Sequence, residues 1–456
     1  MGANLFPMTL RDYQQDLFER IHGAIRRGVR NPLVVSATGS GKTATFCYIA
    51  HRAEQASSAV LILVHRRELI TQTSATLAKF GVPHGIIQPG VTADPSKMVQ
   101  LGMVQTIARR LHRISTPKLI IVDEAHHAVA GQYRAVITAF PSAVVVGFTA
   151  TPLRLDGKGL GDYFGEIIPG PSVEWLMENG HLCRPRYFAP PMMASMKGIK
   201  KRMGDYATDD LAEAMTSARI TGDAVKHYNK LTPGTRAVAF CVNIRHAEHV
   251  AGMFNGAGIP AGIIKGDMAT DERRKIVSDL AAGTVRVMVS VDVVSEGFDL
   301  PSVETAILLR PTQSLGLYLQ QIGRILRPSP GKIATILDHA GNISKHGLAE
   351  DDREWSLDGQ EVAAKKSEAS THRHCDGCYA MYPRLLPACP ECGWSPPPPA
   401  PSEFEHSDEE LVEIRRAPLA SLLSECKSRD DLKRIAKARG YKPGFVYYKA
   451  KELNLR

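Results

Sequence analysis

Short runs of Val, Ile and Leu recur along the first third of the chain, at Leu33 to Ser36, Ala59 to Val64, Lys118 to Val122 and Ala143 to Phe148. Longer stretches with helical spacing of their apolar positions separate them. Runs that are apolar on both faces, with helices between, predict a parallel sheet buried under helices on either side. A second set follows at Arg236 to Cys241, Ala261 to Lys265, Val285 to Ser290, Glu304 to Leu309 and Lys332 to Leu337. The pattern therefore predicts an α/β chain with two parallel-sheet domains in tandem. Between the two sets, Pro152 to Pro233 mixes Gly and Pro with the basic residues Lys197, Lys200, Lys201 and Arg202, and its weak strand signals read as connection plus loops.

After Lys345 the pattern changes. A polar stretch leads to Cys375, Cys378, Cys389 and Cys392, then to the consecutive prolines Pro396 to Pro399, which favour a stiff, extended spacer and predict an end of the chain held away from the body. The expected order is a nucleotide-binding domain at 1–175, a connecting segment at 176–232, a second domain at 233–345, a polar linker at 346–370, a four-cysteine ribbon at 371–395, a Pro-rich acidic linker at 396–417 and a basic helical tail at 418–456. The tail carries ten Lys or Arg against four Asp or Glu, out of a formal charge of +9 for all 456 residues. That excess suits a polyanionic partner. No apolar run is long enough to cross a bilayer, and Met1 to Leu10 lacks a basic segment followed by an apolar one, so a cytoplasmic protein with no membrane contact is expected. Phe6 stands where a myristoylation signal after Gly2 wants Ser or Thr.

The strand ending at Ser36 runs into Ala37, Thr38, Gly39, Ser40, Gly41, Lys42 and Thr43 and then a helical stretch. Glycines let backbone amides curl around phosphate oxygens at a helix N-terminus, a lysine reaches the β and γ phosphates, and a Thr hydroxyl can ligate Mg²⁺. Ser36 takes the place of the usual first Gly. Hydrolysis needs a second carboxylate-bearing strand end, and Lys118 to Val122 delivers Asp123, Glu124, Ala125 and His126. Asp123 is placed to hold Mg²⁺, Glu124 to orient and deprotonate water, and His126 to relay to the neighbouring strand. Phosphoryl transfer also gains from a guanidinium brought in at the moment of reaction; Arg324 and Arg327, three apart and so on one helical face, follow Gln320 in the second domain.

Taken together these segments resemble the superfamily 2 helicases over nearly 320 residues. Leu10 to Gln14 look like the adenine-reading segment, with Arg11 and Gln14 as base-side contacts. Ala37 to Thr43 match motif I, His65 to Leu69 motif Ia, and Val104 to Thr106 a further strand-contacting motif. Asp123 to His126 spell the DEAH box, Thr149 to Pro152 are like motif III, and Ala239 to Cys241 fall at motif IV. Ser295 to Asp299 resemble motif V, which adds Gly297 and Asp299 to the nucleotide site, and Gln320 to Arg327 fit motif VI, whose two arginines act as fingers. Within the superfamily the chain looks most like the RadD-like bacterial repair helicases, through Ile307 to Arg327, Leu337 to Asn342 and the downstream cysteines. The resemblance implies two RecA-like domains that sandwich ATP with Mg²⁺, and nucleic acid, expected to be single-stranded or branched DNA, lying across both. Arg66, Thr106, Thr149 and Ser295 are the implied backbone contacts.

Two Cys-x-x-Cys pairs with Gly377 and Gly393 beside them suit one structural Zn²⁺ held by Cys375, Cys378, Cys389 and Cys392. Cys47, Cys183, Cys241 and Cys426 are scattered and read as ordinary buried thiols. In the tail, Arg434, Lys437, Arg439 and Lys442 stand with Tyr441, Tyr447 and Tyr448, which fits stacking on nucleic acid and equally a helical module for a protein partner. No nuclease constellation of paired carboxylates and lysine stands outside the motor motifs.

Overall fold

A computed structural model describes residues 8–189, 218–358 and 426–455 apart from 92–93, 129–130, 155–158, 267, 292–301, 440, 442 and 454, together with short pieces within 201–206, 372–395 and 412–423. The first lobe runs α1 (Asp12–Arg26), β1 (Pro32–Val35), α2 (Lys42–Gln55), β2 (Val60–Val64), α3 (Arg67–Lys79), β3 (His84–Ile87), β4 (Val99–Met103), α4 (Val104–Arg109), β5 (Leu119–Asp123), α5 (Gly131–Ala139), β6 (Val144–Thr149), β7 (Glu166–Pro169) and α6 (Val173–Glu178). Its seven strands are all parallel, in the order β3-β4-β2-β5-β6-β1-β7. Alternation splits each strand between two cores: Val34, Ile62, Ile121 and Val146 pack on one face, Leu33, Leu61, Leu63, Ile120 and Val122 on the other. This is why those runs are apolar throughout.

The second lobe begins with β8 (Arg186–Ala189). After a small hairpin of β9 (Lys201–Arg202) and β10 (Asp205–Tyr206) come α7 (Ala218–Leu231), β11 (Ala237–Phe240), α8 (Ile244–Gly256), β12 (Ala261–Ile264), α9 (Thr270–Ala282), β13 (Val287–Ser290), β14 (Thr305–Leu308), α10 (Leu315–Gly323), β15 (Thr335–Asp338) and α11 (Asn342–His346). The C-terminal part adds the hairpin β16 (His372–His374) and β17 (Met381–Pro383), β18 (Val412–Ile414), α12 (Arg429–Ala438) and α13 (Pro443–Glu452). The second sheet reads β12-β13-β11-β14-β15-β8-β18, parallel except for β18, which is antiparallel to β8.

Three expectations about the connections are corrected. The segment 176–232 is more than loops, because β8 pairs with β15 and Tyr187 and Phe188 are buried in the second lobe. The acidic linker at 396–417 supplies β18, an edge strand that covers β8. The polar linker at 346–370 is, over its described residues 346–358, a strap folded onto both lobes. Glu350, 4% exposed, accepts a 2.6 Å hydrogen bond from the Tyr187 hydroxyl. Arg353 donates to the carbonyls of His346, Leu348, Ala349 and Asp351, while Trp355 and Leu357 pack on the first lobe and the Leu357 carbonyl accepts from the Leu160 and Gly161 amides. Glu350 and Arg353 are spent on internal partners while Asp352, Glu354 and Asp358 stay exposed, so composition alone misrepresents the segment as wholly solvated.

The tail, too, differs from expectation. The Arg439 side chain is 6% exposed, with Nη1 3.7 Å from the Glu174 carboxylate on α6, so it docks on the body. Among the described residues no helix is long and apolar enough to cross a membrane. Cys47 and Cys241 are buried thiols pushed up by that burial, whereas Cys183 and Cys426 are half-buried.

Candidate functional site

The site is built where the C-terminal ends of β1, β5 and β6 meet the end of α10. In the loop after β1, Gly39 and Gly41 sit at φ +88° and +84°, a region that residues with a Cβ adopt only at a cost. Ser36 does not leave a gap: its hydroxyl lies 2.8 Å from that of Ser40, which also donates to the Ala37 carbonyl at 2.7 Å. The outside of the loop is held from α1, where the Tyr13 hydroxyl and the Gln14 amide both donate to the Ser40 carbonyl, at 2.7 and 3.2 Å, while Gln14 Oε1 accepts from the Arg11 amide. Gln14 is therefore tied to the loop itself. Thr38 and Thr43 are half-buried on the loop and at the start of α2.

Lys42 Nζ donates to the Ser36 carbonyl at 3.1 Å and to Ala37 at 3.5 Å, folding back across the loop. Burial holds its ammonium below the ordinary lysine value; Glu124 and Asp123 raise it, and Arg324 and Arg327 lower it. One buried ammonium thus feels the carboxylates of its own lobe and both guanidiniums of the other. A loop of amides with a buried, under-neutralised lysine fits a polyphosphate, and Asp123, 5% exposed at the end of β5, fits the accompanying Mg²⁺.

Among the described residues, Glu124 is one of two residues other than glycine found at positive φ, at +49° with ψ +55°. Its amide donates to Asp123 Oδ1 at 3.0 Å, and its carbonyl accepts from the His127 amide at 2.9 Å, closing a short 3-10 turn. Its Oε2 is buried, accepts no hydrogen bond among the described residues and lies 3.5 Å from His126 Nδ1. A left-handed backbone holding a buried carboxylate oxygen beside the phosphate loop's partner strand end suits a general base. His126 Nδ1 also lies 3.1 Å from the Thr149 hydroxyl, which donates to the Thr151 carbonyl at 2.8 Å.

From the second lobe, α10 ends at Gly323, and Arg324 and Arg327 occupy the turn that follows. The expectation of two arginines on one helical face is corrected: the turn, and not helical periodicity, aims them. The lobes touch here. A Cβ on Gly323 would fall 2.6 Å from Thr38 Cβ, and one on Gly39 would lie 3.6 Å from Arg327 Cγ. Gln320 and Gln321 are buried beneath this contact, 6% and 3% exposed.

Other expected residues fare differently. Arg66 caps the start of α3 and is half-buried. Thr106 is 7% exposed inside α4, and Thr149 is fully buried with its hydroxyl committed to Thr151 and His126, so Thr149 cannot reach a backbone phosphate in this conformation. Ser295, Gly297, Asp299 and the four clustered cysteines lie outside the described residues, and among the described residues no group of three or more His, Cys, Asp or Glu is arranged to hold a metal ion.

The structure adds residues that the sequence did not flag. Glu68 on α3 pairs with Arg273 on α9 at 2.5 Å, a second tie between the lobes. Trp175 and His181 gather around Tyr13, with ring centroids 5.7 and 4.8 Å away, beside Arg11. A cleft of about 370 Å³ opens between the lobes, lined by Thr38, Gly170, Gly323, Asp352, Arg439 and Tyr441 among others. These pairings join positions far apart in sequence, and no local pattern announces them.

The first lobe matches the family model of the type III restriction enzyme res subunit over residues 7–154, and the second matches the helicase conserved C-terminal domain over residues 222–329. A 51.5 kDa protein of a Lactococcus phage is 33% identical over 89% of this chain and 88% of its own length. IRC3 of Saccharomyces cerevisiae, named for an ATP-dependent helicase, is 31% identical over 70% of this chain, which spans about half, 49%, of its length. Among solved structures, a fragment described as an HsdR subunit of a type I restriction enzyme from Vibrio vulnificus superposes with a TM-score of 0.60 at 21% identity, covering 75% of this chain and 67% of that one. With a phosphate loop, an Asp-Glu strand end and two cross-lobe arginines on tandem parallel sheets, and with both helicase domain models matched in order, this ATP-hydrolysing chain belongs to the superfamily 2 helicases.

Proposed function

We propose that the chain is a DNA-stimulated translocase or helicase of the RadD-like kind, serving DNA repair or recombination, with Lys42 and Thr43 on the phosphates and Mg²⁺, Asp123 on the metal, Glu124 as base, and Arg324 and Arg327 as fingers. The observation that carries it is the seating of the Arg324–Arg327 turn of one lobe on the phosphate loop of the other, with Gly323 against Thr38 and Arg327 Cγ toward Gly39. Because the site is complete only while Gly323 lies against Thr38, hydrolysis is tied to lobe closure, and closure is what moves one nucleic-acid-binding surface against the other. ATP with Mg²⁺ supplies the transferable phosphoryl group and the charge that bridges its oxygens. DNA is favoured as the track by the restriction-enzyme subunits among the similar proteins, and the +9 charge suits its backbone. The test is the ATP hydrolysis rate alone and with single-stranded, duplex and forked DNA and a sequence-matched RNA. DNA is expected to raise the rate and RNA to raise it less. Equal or greater stimulation by RNA overturns the choice of DNA, and no stimulation by any strand overturns the motor.

We further infer that Cys375, Cys378, Cys389 and Cys392 hold one structural Zn²⁺, on the strength of their spacing and of the paired strands β16 and β17 that enter the segment. Protein purified without chelators is expected to carry about one zinc per chain, lost on Cys378→Ser. A zinc-free protein by atomic absorption would remove the ribbon from this account.

A further inference from the structure

The parallel strands β2, β5 and β6 lie side by side, with Leu63 opposite Val122 and Asp123 opposite Phe148, so their C-terminal ends are neighbours. His65 follows β2, His126 and His127 lie in the turn after β5, and Thr149 ends β6. Their side chains form a lateral row. The ring centroids of His65 and His127 are 4.8 Å apart, those of His127 and His126 are 4.1 Å apart, and His126 Nδ1 is 3.1 Å from the Thr149 hydroxyl. The row is anchored at both ends. The His65 carbonyl faces the Gln105 amide at 3.5 Å, and the Thr151 hydroxyl, one step beyond Thr149, lies 2.9 Å from where a Cβ on Gly316 would stand, in the first turn of α10.

The row also holds the strained residue. The His127 amide closes the turn that keeps Glu124 at positive φ, and such a conformation persists only where its surroundings fix it. The His127 ring, packed at a tilt between the rings of His65 and His126, is what ties that turn to the end of β2. The next residue after His65 is Arg66, the cap of α3. We propose that His65 and His127 are positioning residues that carry the state of the Arg66 segment to Glu124, so that nucleic acid on that segment sets the carboxylate for hydrolysis. Half-buried imidazoles packed as tilted rings, with 52° and 42° between their planes, are a poorer filling than aliphatic side chains would be, which argues against packing as their sole use. The inference rests on the nucleic-acid-stimulated reading above, and it adds residues that act neither on ATP nor on the track.

The test is steady-state ATP hydrolysis with and without saturating single-stranded DNA for the wild type, His65→Ala, His127→Ala, the double variant and His127→Phe, with thermal melting and DNA affinity measured on each. Each single alanine variant is expected to lose about tenfold in stimulated kcat, with the KM for ATP and the DNA affinity within about twofold of wild type. The double variant is expected to lose no more than either single one, since breaking the row once is enough, and His127→Phe, which keeps a stacking ring, to recover most of the loss. Singles that keep full stimulation, losses that multiply in the double variant, or kcat losses matched by equal losses of DNA affinity each overturn the relay. Where an alanine variant melts early, His127→Gln and His65→Gln replace it under the same criteria. A wild type that DNA does not stimulate sinks the functional reading itself, whereas a stimulated wild type with stimulated variants sinks only the relay.

Discussion

Arg327→Ala is expected to lower ATP turnover by about 10³-fold or more, the loss seen when a guanidinium that meets the transferring phosphoryl group is removed. The expectation rests on place and not on spacing: Arg327 lies in the turn after α10, its Cγ packed toward Gly39, and its charge acts on Lys42 across the lobe boundary. Binding should survive better than turnover, because the loop, Lys42 and Asp123 all belong to the other lobe. The KM for ATP is accordingly expected to move far less than kcat, the mark of an interaction made chiefly in the transition state. Arg327→Lys should recover only a small part, since an ammonium keeps the charge but not the planar fork. Steady-state ATPase rates beside binding of a non-hydrolysable analogue check both statements. Turnover within about tenfold of wild type would mean that Arg327 only braces the contact, where its carbonyl already accepts from Lys332 Nζ at 2.8 Å.

How much of this was legible depends on how local the signal is. The nine apolar runs used to infer two sheets all became strands within three residues of their expected ends, because a strand buried on both faces has to be apolar at every position. His84–Ile87 escaped notice because edge position relaxes that demand, β3 alternating between buried and half-buried positions, whereas Arg186–Ala189, an inner strand between β15 and β18, is masked in the sequence by the charged Arg186 that opens it. The loop at Ser36 to Thr43 and the Asp123 to His126 turn were legible because phosphate and metal chemistry require fixed residue types at fixed spacing. The strap at 346–358 was not, since Glu350 meets Tyr187 from 163 positions away and Arg353 turns back onto main-chain carbonyls of its own segment, neither of which residue type or spacing announces. The same holds for Glu68 with Arg273 and for Arg439 with Glu174, pairs joined across more than two hundred positions. Thr149 was assigned outward because motif position alone does not say which way a side chain faces.

Glu124→Gln is expected to leave a protein that binds ATP and closes but turns over about 10³-fold more slowly, within the range lost with a positioned general base. The amide has nearly the shape of the carboxylate, so the turn that strains Glu124 and the amide bond to Asp123 Oδ1 should persist. What changes is chemical. Oε2 is buried 3.5 Å from His126 Nδ1 with no hydrogen bond among the described residues, so it is available to accept a proton from water, and an amide oxygen at neutral pH is not. Asp123→Asn offers the contrast, since a residue that holds the metal should lose ATP affinity along with rate. Titration of a fluorescent ATP analogue together with single-turnover rates separates the two: for Glu124→Gln the dissociation constant is expected to stay within a few-fold while the rate collapses. A dissociation constant that rises as steeply as the rate falls would place Glu124 on the nucleotide's metal or in the fold, and would leave the attacking water without an identified base.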